Sequence, residues 1–484
     1  MKGVVGKIIG DATTYEFEFV VFDTRRVRKG DYVKVWNDGV GWVVAYVADI
    51  VATSNPPKSA VEYVSDSSVH IAKAVVIGKR EGGKLLTPRT PFVPGENVLL
   101  AEDKTIAEVL GFRGDGAYIG LLGDTSVRVT LDINSLVQKH VCILAKTGSG
   151  KSYTAGVIIE ELLERDVPML IIDPHGEYHT LKFPGEGDGE FGVEPKGYAD
   201  KVRVFAPPTS PFADRADELL ILDGRNLSAE ELTELTGLRN PSAQALLYQA
   251  LRNLEDYTIE DVIEEVESIK HNAKWTLIGA LTKIAESGLF GEKATRIEDL
   301  FKVGQASVID LRGVEPTFQD IIVSRLCGAL FEKRKRGEVP PGLIVVEEAH
   351  NFIPERGFDR AVSTGILRTI ASEGRKFGLG LMVISQRPAR VDKNVISQCN
   401  TQIILRVTNP NDINAIRRGV EGITPEMVEE IKRLPPGTAI VVSPELERPV
   451  VVRIRKRRSM HGEAARVVAK KKKEKKGFLR RLFG

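Results

Sequence analysis

The stretch Val-Cys-Ile-Leu-Ala-Lys-Thr-Gly-Ser-Gly-Lys-Ser-Tyr, residues 141–153, decides the fold. Its apolar run, Val141–Leu144, predicts a short buried strand, and a glycine-rich loop follows it. From residue 155 to residue 163 the apolar side chains recur with the spacing of a helix. Strand, glycine-rich loop and helix in this order are typical of a P-loop, the motif that holds nucleotide phosphates.

The residue types in this loop fit phosphate chemistry. Gly148 and Gly150 have no Cβ, so the backbone can curl and direct its N–H groups at phosphate oxygens. Lys151 supplies a positive charge to the β- and γ-phosphates, and Ser152 offers a hydroxyl to Mg²⁺. The motif calls for glycine at position 145, where this chain has Ala145, and we expect so small a side chain to keep the turn. The predicted nucleotide-binding residues are Thr147, Gly148, Ser149, Gly150, Lys151, Ser152 and Tyr153.

Composition indicates an ordinary globular protein of two or three domains. Of its 484 residues, 42% are hydrophobic and 28% are charged. No apolar run approaches the roughly 18 residues of a membrane span, and no signal peptide precedes the first strand pattern, so we expect a cytoplasmic protein with no membrane contact. Cys142, Cys327 and Cys399 are isolated, which predicts reduced core residues. Many Lys, Arg and Glu beside few Gln and Cys suggest a thermophile.

Charge is distributed unevenly along the chain. From Arg453 onward there are fourteen Lys or Arg against two Glu, a balance of +12, so the remaining residues sum to −10 within a total of +2. Basic tails of this kind either bind nucleic acid or remain solvated, and the sequence leaves both open.

The chain divides into five predicted segments. Residues 1–125 carry short apolar runs separated by Gly, Asp and Pro, which predicts a small closed β-barrel with a docking or assembly role. Residues 126–212 and 301–455 alternate strands and helices and form the two parts of the α/β core. Residues 213–300 show helical spacing, with a capping box at Ser228 and Glu231, and predict a helical insertion. Residues 456–484 are the basic C-terminal segment.

Two further strands of the core end in polar residues: the apolar run 169–172 is followed by Asp173, and the run 343–346 is followed by Glu347 and Glu348. Because ligands bind at the carboxyl ends of parallel strands, Asp173 is expected to face the nucleotide or its metal. Asp173, His175 and Glu177 could themselves bind a metal, although a turn that stiffens the rim of the site is favoured. In P-loop enzymes the first acid after such a strand holds Mg²⁺ and the next polarises the attacking water, which assigns these roles to Glu347 and Glu348.

Two more residues complete the predicted catalytic set. Gln386 follows the strand near 379–384 and could sense the γ-phosphate and orient water. Arg375 precedes that same strand, so it lies at the opposite edge of the sheet from Lys151. It could therefore reach the site of a neighbouring subunit as an arginine finger, or it could be part of a surface ion pair.

These motifs together resemble the HerA family of archaeal hexameric DNA translocases, within the HerA/FtsK group of P-loop ATPases. The segments that carry the resemblance are 145–152, 173–178, 347–350, 374–376 and 385–388, together with the N-terminal barrel and the helical insertion. The resemblance implies a RecA-like core that uses ATP and Mg²⁺ to move double-stranded DNA through a homo-hexamer. It also implies a NurA-type nuclease partner on the barrel and a role in DNA end resection for double-strand break repair.

The resemblance further implies roles for residues outside the P-loop. Arg375 acts across the subunit boundary, and Lys139 is the basic residue that contacts the nucleotide. Met460 and His461 lie in the segment that braces the next subunit near bound nucleotide. The resemblance does not name the pore residues that contact DNA phosphates, for which Lys270, Lys274, Arg356 and Arg360 are our own candidates.

Two other functions remain open at this point. A conjugation-type or protein-translocating ATPase could use the same core. A degenerate subunit could bind nucleotide only to hold a ring together, although the joint presence of Lys151, Glu347, Glu348, Arg375 and Gln386 argues against this.

Overall fold

The computed structural model describes residues 3–63, 69–291 and 293–462. They form an N-terminal barrel, a large mixed sheet with helices on both faces, and a helical unit inserted into the second part, so the predicted fold class is confirmed. The strongly basic stretch at residues 463–484 lies outside the described residues, and its proposed contact with nucleic acid stays a prediction.

The barrel is built from antiparallel strands whose apolar side chains point inward. Its strand order is β2-β1-β7-β3-β4-β5, and β5 pairs back with β2 to close the ring, while β6 extends β5 as a hairpin. The alternating side chains of these strands supply a separate apolar core. The elements are β1 Val4–Ile9, β2 Glu16–Val21, β3 Tyr32–Asn37, β4 Gly41–Thr53, α1 Lys58–Val61, β5 Val69–Glu81, β6 Lys84–Leu86 and β7 Asn97–Leu100.

The barrel ends earlier than the predicted boundary at residue 125. After helix α2, Asp103–Leu110, the hairpin of β8 (Ala117–Leu122) and β9 (Arg128–Leu131) joins the large sheet instead. The reason is that β8 pairs with β19, Val450–Ile454, more than 300 residues later in the chain. A boundary near residue 101 therefore fits the strand pairing better.

The large sheet has twelve strands in the order β13-β12-β14-β11-β15-β16-β10-β17-β18-β19-β8-β9. From β13 to β17 all neighbours are parallel, so their carboxyl ends meet at one edge, and from β17 to β9 they are antiparallel. The remaining strands are β10 Val141–Leu144, β11 Met169–Asp173, β12 Val202–Ala206, β13 Glu218–Leu219, β14 Ala306–Asp310, β15 Gly342–Val346, β16 Leu379–Ser385, β17 Thr401–Ile404 and β18 Thr438–Val442.

Helices cover both faces of this sheet, which explains why its central strands are apolar throughout. On one face lie α3 (Ile133–Gln138) and α4 (Lys151–Leu163). The helices on the other face are α9 Ile297–Leu300, α10 Pro316–Arg336, α11 Thr364–Glu373, α12 Lys393–Gln398, α13 Pro410–Gly419 and α14 Pro425–Arg433.

The predicted helical insertion is present as four helices with a core of their own. They are α5 Ala229–Thr236, α6 Pro241–Leu251, α7 Ile259–Ser268 and α8 Lys274–Ala285. The capping box at Ser228 and Glu231 begins α5 as expected, and a second one at Thr258 and Asp261 begins α7. Ile321 of α10 packs into this core and so ties the insertion to the sheet.

The chain after β19 crosses helix α4, and we call residues 455–461 the strap. Arg455 is fully buried and donates to Glu160 and Glu161 of α4, each at 2.9 Å. Arg457 is also buried, and a Cβ at Gly156 would lie only 2.7 Å from its guanidinium carbon. Gly156 is therefore the residue of α4 that makes room for the strap.

Candidate active site

The P-loop follows β10 directly and has the backbone that its glycines predict. Gly148 and Gly150 have φ angles of 78° and 99°, values that side chains with a Cβ rarely adopt. Ala145, by contrast, is buried and is not among the residues with positive φ in the described chain, which explains why glycine is not needed there. Helix α4 begins at Lys151 with no capping side chain, so the N–H groups of its first turn are available to an anion.

Lys151 and the two predicted acids come together at the carboxyl edge of the sheet. The Lys151 ammonium forms an ion pair with Glu347, and its Nζ is 3.0 Å from Glu348 Oε1. Ser152 Oγ is 3.5 Å from Glu347 Oε1. Residues almost 200 positions apart in sequence thus meet because β10 and β15 are both neighbours of β16.

Glu347 is fully buried, and its carboxylate is paired with the Lys151 ammonium and the Tyr178 hydroxyl. Burial raises the pKa of this carboxyl to about 7, against the opposing effect of Lys151. The Tyr178 hydroxyl donates to Glu347 Oε2 at 2.6 Å, and burial raises the pKa of that phenol well above its ordinary value. Burial lowers the pKa of Lys151, but the two carboxylates raise this pKa by more than burial lowers it. The amine therefore stays charged. The carboxylate of Glu347 is therefore suited to a cation.

Glu348 adopts an unusual backbone conformation, with φ at 50°. Non-glycine residues rarely occupy this region, and such strain is frequently found at functional sites. Its Oε2 atom is buried and lies 3.3 Å from His350 Nδ1, but it accepts no hydrogen bond from the residues that the structure describes. His175 Nε2 is 3.9 Å from Oε1 on the other side. The carboxylate therefore has one acceptor atom that no donor of the described chain uses.

The side chain of Asp173 is directed into the turn that follows β11, and its contact with the nucleotide or metal stays a prediction. It is fully buried, and its carboxylate accepts backbone N–H groups of Gly176 at 2.7 Å, Glu177 at 3.1 Å and Tyr178 at 2.9 Å. Burial raises its pKa to about 6. Asp173 thus closes the turn that presents the Tyr178 hydroxyl to Glu347, which is the stiffened rim that the sequence also suggested. Among the residues described, no cluster of three or more His, Cys, Asp or Glu is arranged to hold a metal.

Gln386 lies at the P-loop, as its position after β16 predicts. The hydroxyl of Thr147 donates to its side-chain oxygen. The preceding residue, Ser385, has its Oγ 3.3 Å from Nδ1 of His350, the same imidazole nitrogen that lies beside Glu348. The tip of β16 is thereby connected both to the phosphate loop and to the second acid.

Lys139 and Arg375 lie at the other edge of the sheet. Lys139 precedes β10 and its Nζ is 3.9 Å from Glu445, while Arg375 is exposed in the turn before β16. Seven residues of β16 separate Arg375 from Gln386, a rise of roughly 23 Å. Within one protomer neither cation therefore reaches Lys151. The guanidinium of Arg375 also makes no ion pair or hydrogen bond with the described part of the chain.

Met460 and His461 lie beside the P-loop helix of their own chain. The rings of His461 and Tyr153 meet edge to face with centroids 5.1 Å apart, and the Tyr153 hydroxyl accepts the N–H of Arg457 at 2.8 Å. Met460 donates its N–H to Phe183 at 2.9 Å and leaves its side chain exposed. The strap is thus packed against its own protomer, and a bracing contact with a neighbouring subunit stays a prediction.

The arrangement fits a magnesium nucleotide. The open acceptor of Glu348, the buried carboxylate of Glu347 and the Ser152 hydroxyl are hard oxygen groups of the kind that Mg²⁺ prefers. The uncapped first turn of α4 and the open space beside Gly148 fit a phosphate chain. Ser152 and Glu347 are accordingly the residues that would hold the metal.

Sequence reasoning missed the buried charges that hold α4 in position. Glu160 accepts hydrogen bonds from Arg455, from the N–H groups of Arg458 and Ser459, and from the Ser459 hydroxyl. Two signals could have indicated this network: a pair of glutamates inside an otherwise apolar helix, and arginines at alternate positions 453, 455 and 457. The role of His350 was also missed, although it directly follows the two acids and Ala349.

Comparisons with known proteins agree with this architecture. A family model described as the central domain of helicase HerA matches residues 117–330, and a HAS barrel domain model matches residues 5–82. The DNA double-strand break repair helicase HerA of Pyrococcus furiosus is 29% identical over 96% of this chain and 94% of its own length. The probable DNA double-strand break repair helicase HerA of Methanocaldococcus jannaschii is 29% identical over 95% of this chain and 96% of its own length.

A solved structure shares the fold at lower identity. VirB4 of Thermoanaerobacter pseudethanolicus superposes with a TM-score of 0.51 and 16% identity, covering 71% of this chain and 98% of that chain.

In the described part of the chain, every helix is too short or too polar to cross a membrane. The three cysteines are free and buried, as predicted.

Proposed function

We propose that this chain is a member of the HerA helicase family and, on that premise, an ATP-driven translocase of double-stranded DNA. The observation that carries the proposal is the convergence of Lys151, Glu347 and Glu348 at the carboxyl edge of the sheet. These groups supply what phosphoryl transfer needs, namely a cation for the phosphates, a carboxylate for the metal and a base for water. Their convergence argues against a non-catalytic scaffold.

Each residue has a defined part in hydrolysis. Ser152 and Glu347 would hold Mg²⁺, which when bound would neutralise charge on the phosphates of the ATP substrate. Tyr178 keeps the Glu347 carboxylate oriented through its 2.6 Å hydrogen bond. Glu348 accepts a proton from the attacking water at its open oxygen, and Gln386, hydrogen-bonded to Thr147, orients that water.

We further propose that hydrolysis takes place between subunits of a homo-hexamer. Arg375 is exposed, has no partner in the described chain, and is separated from its own P-loop by the length of β16. An arginine at this edge can stabilise the transferring phosphoryl group only in a neighbouring protomer. Lys139, on the same edge, would approach that neighbouring nucleotide as well.

DNA contacts are proposed for basic side chains near the catalytic acids and on the insertion. Arg356 and Arg360 are exposed in the loop between Glu348 and α11, with the exposed ring of Phe358 between them. Lys270 lies in the link between α7 and α8, and the Lys274 ammonium lies over the exposed ring of Trp275, 5.1 Å from its centroid. Basic and aromatic side chains together suit a phosphate backbone, and such contacts weaken steeply as salt rises.

The barrel is the proposed docking site for a NurA-type nuclease, which would couple translocation to DNA end resection in double-strand break repair. Its outer surface carries an edge-to-face pair of exposed indoles, Trp36 and Trp42, with ring centroids 5.6 Å apart. Exposed tryptophans are enriched at protein interfaces because they bury much apolar area at little entropic cost.

The test is the rate of ATP hydrolysis with and without linear duplex DNA, for the native protein and for Lys151→Ala. We expect duplex to accelerate the native protein and Lys151→Ala to abolish both rates. A protein-translocating ATPase would hydrolyse ATP without acceleration by duplex. Full-speed hydrolysis by an isolated protomer would contradict the intersubunit site.

A further inference from the structure

Arg406 lies at the carboxyl edge of the sheet, next to the P-loop. In the parallel pairing of β10 with β17, Leu144 is opposite Ile404, so Arg406 is level with Lys146 at the beginning of the loop. The Arg406 carbonyl accepts the Lys146 N–H at 2.9 Å and the Ser149 hydroxyl at 3.1 Å. The backbone at residue 406 is thus fixed to the phosphate loop.

Within the described chain, the guanidinium of Arg406 has no counter-charge. The residue is half-buried, its Nε atom is buried, and among the described residues no side chain or carbonyl accepts from this group. Lys151 on the same loop differs, because it is already paired with Glu347 and Glu348. A partly desolvated cation without a partner is unfavourable, and at this edge of a parallel sheet an anionic ligand is the natural partner.

We propose that Arg406 binds a phosphate group of the nucleotide from the β17 side of the P-loop, within its own protomer. The inference rests on the proposed function, since it assumes that the P-loop binds a nucleotide. Arg406 and Gln386 then flank the loop on the two strands that neighbour β10. Arginine suits this position because its planar fork can donate two hydrogen bonds to one phosphate.

The experiment measures the dissociation constants of ATP and of inorganic tripolyphosphate by calorimetry in the presence of Mg²⁺. Arg406→Gln should weaken the binding of both by about tenfold or more, because a charged hydrogen bond to phosphate is lost. Arg406→Lys keeps the charge, so its dissociation constants for both ligands should lie between those of Arg406→Gln and those of the native protein. Arg417→Gln, an exposed arginine on α13, is the matched control and should leave both constants unchanged.

Several outcomes would separate the two proposals. Affinity for ATP within twofold of native in Arg406→Gln, or no recovery in Arg406→Lys, would overturn the role of Arg406. A loss for ATP with unchanged tripolyphosphate binding would overturn it too, since the contact would not be to phosphate. Lys151→Ala, measured beside them, tests the P-loop itself, and its failure to weaken binding would overturn the proposed function instead.

Discussion

The two edges of the large sheet differ in how far their functional groups are paired. At the carboxyl edge Lys151, Glu347, Glu348, Tyr178 and Thr147 contact one another or their neighbours within one protomer. At the amino edge Arg375 is exposed and has no partner in the described chain. The carboxyl edge is therefore organised by the fold of a single chain, whereas in our proposal Arg375 at the amino edge meets its partner in a second chain.

This contrast explains how one strand can serve two sites. Arg375 lies in the turn before β16 and Gln386 directly follows the strand. A shift of β16 would therefore move both side chains, one at each edge of the sheet. In a ring, each β16 would connect the nucleotide of its own protomer to that of its neighbour. A rigid element shared by two sites is one way in which coupling between them can be carried.

The largest expected effect is on the amino edge. Arg375→Ala should leave ATP binding nearly unchanged and lower turnover by roughly 10³- to 10⁵-fold, the range found for arginine fingers. Steady-state hydrolysis together with equilibrium ATP binding measures both quantities.

Mixing two inactive variants makes this prediction sharper. When Arg375→Ala is mixed with Lys151→Ala, some interfaces combine an intact P-loop with an intact Arg375, so activity should reappear. If Arg375 acted within its own chain, the mixture would stay as inactive as its components. That result would contradict the proposal that the amino edge serves the site of a neighbouring protomer.

The next largest effect is on the carboxyl edge. Glu348→Gln removes the proton acceptor and should lower kcat by roughly 10²- to 10⁴-fold with ATP still bound. The control is Glu373→Gln, an exposed acid at the end of α11 near the amino edge, which should change kcat less than about twofold. If kcat fell by a comparable factor in both variants, the role of Glu348 as the proton acceptor would be contradicted.

A smaller effect concerns the stability of the carboxyl edge. Gly156→Ala would place a Cβ 2.7 Å from the buried Arg457 guanidinium, and we expect it to lower the free energy of unfolding by roughly 1–3 kcal/mol. Gly328→Ala in α10 meets no atom within 4 Å and should instead raise it by about 1 kcal/mol, through helix propensity alone. Thermal or denaturant unfolding compares the two, and stabilisation by both would show that the strap adapts freely.

The smallest effect is a pH dependence at the amino edge. Burial, and then the charge of Arg375, lower the pKa of His140 to about 4, and its Nδ1 accepts the Leu381 N–H at 2.9 Å. The unfolded state has the higher pKa, about 6.5, so it binds more protons below that value, and stability is lost as pH falls. We expect a loss of roughly 1 kcal/mol from this residue between pH 7 and pH 5.5.

His140→Asn is the matched variant for this last prediction. Asparagine tolerates the positive φ of 56° at this position and can also accept a hydrogen bond, but it does not titrate. The variant should lose less stability than the native protein between pH 7 and pH 5.5. Equal losses in denaturant unfolding would assign the acid sensitivity to other groups.

Local signals in the sequence were enough to predict the catalytic edge. The P-loop, the two acids and Gln386 each follow an apolar strand, and strand direction alone assigned Arg375 to the opposite edge. Asp173 also follows such a strand, but its ligands are N–H groups of its own turn, and that geometry has no sequence signature. Pairing partners far apart in the chain were equally hidden, which is why β8 was assigned to the barrel.

The strap changes what counts as the end of the ATPase domain. A chain cut after Ile454 would keep every P-loop and catalytic residue, and Glu161 would keep Arg165 and the Tyr118 N–H. The buried carboxylate of Glu160, however, would lose every partner that the described chain gives it. Leaving one buried charge without its partner costs roughly 3–5 kcal/mol, a large share of the stability of an ordinary domain. The smallest autonomous fragment that keeps the partners of Glu160 therefore extends at least through Ser459, the last residue that donates to this carboxylate.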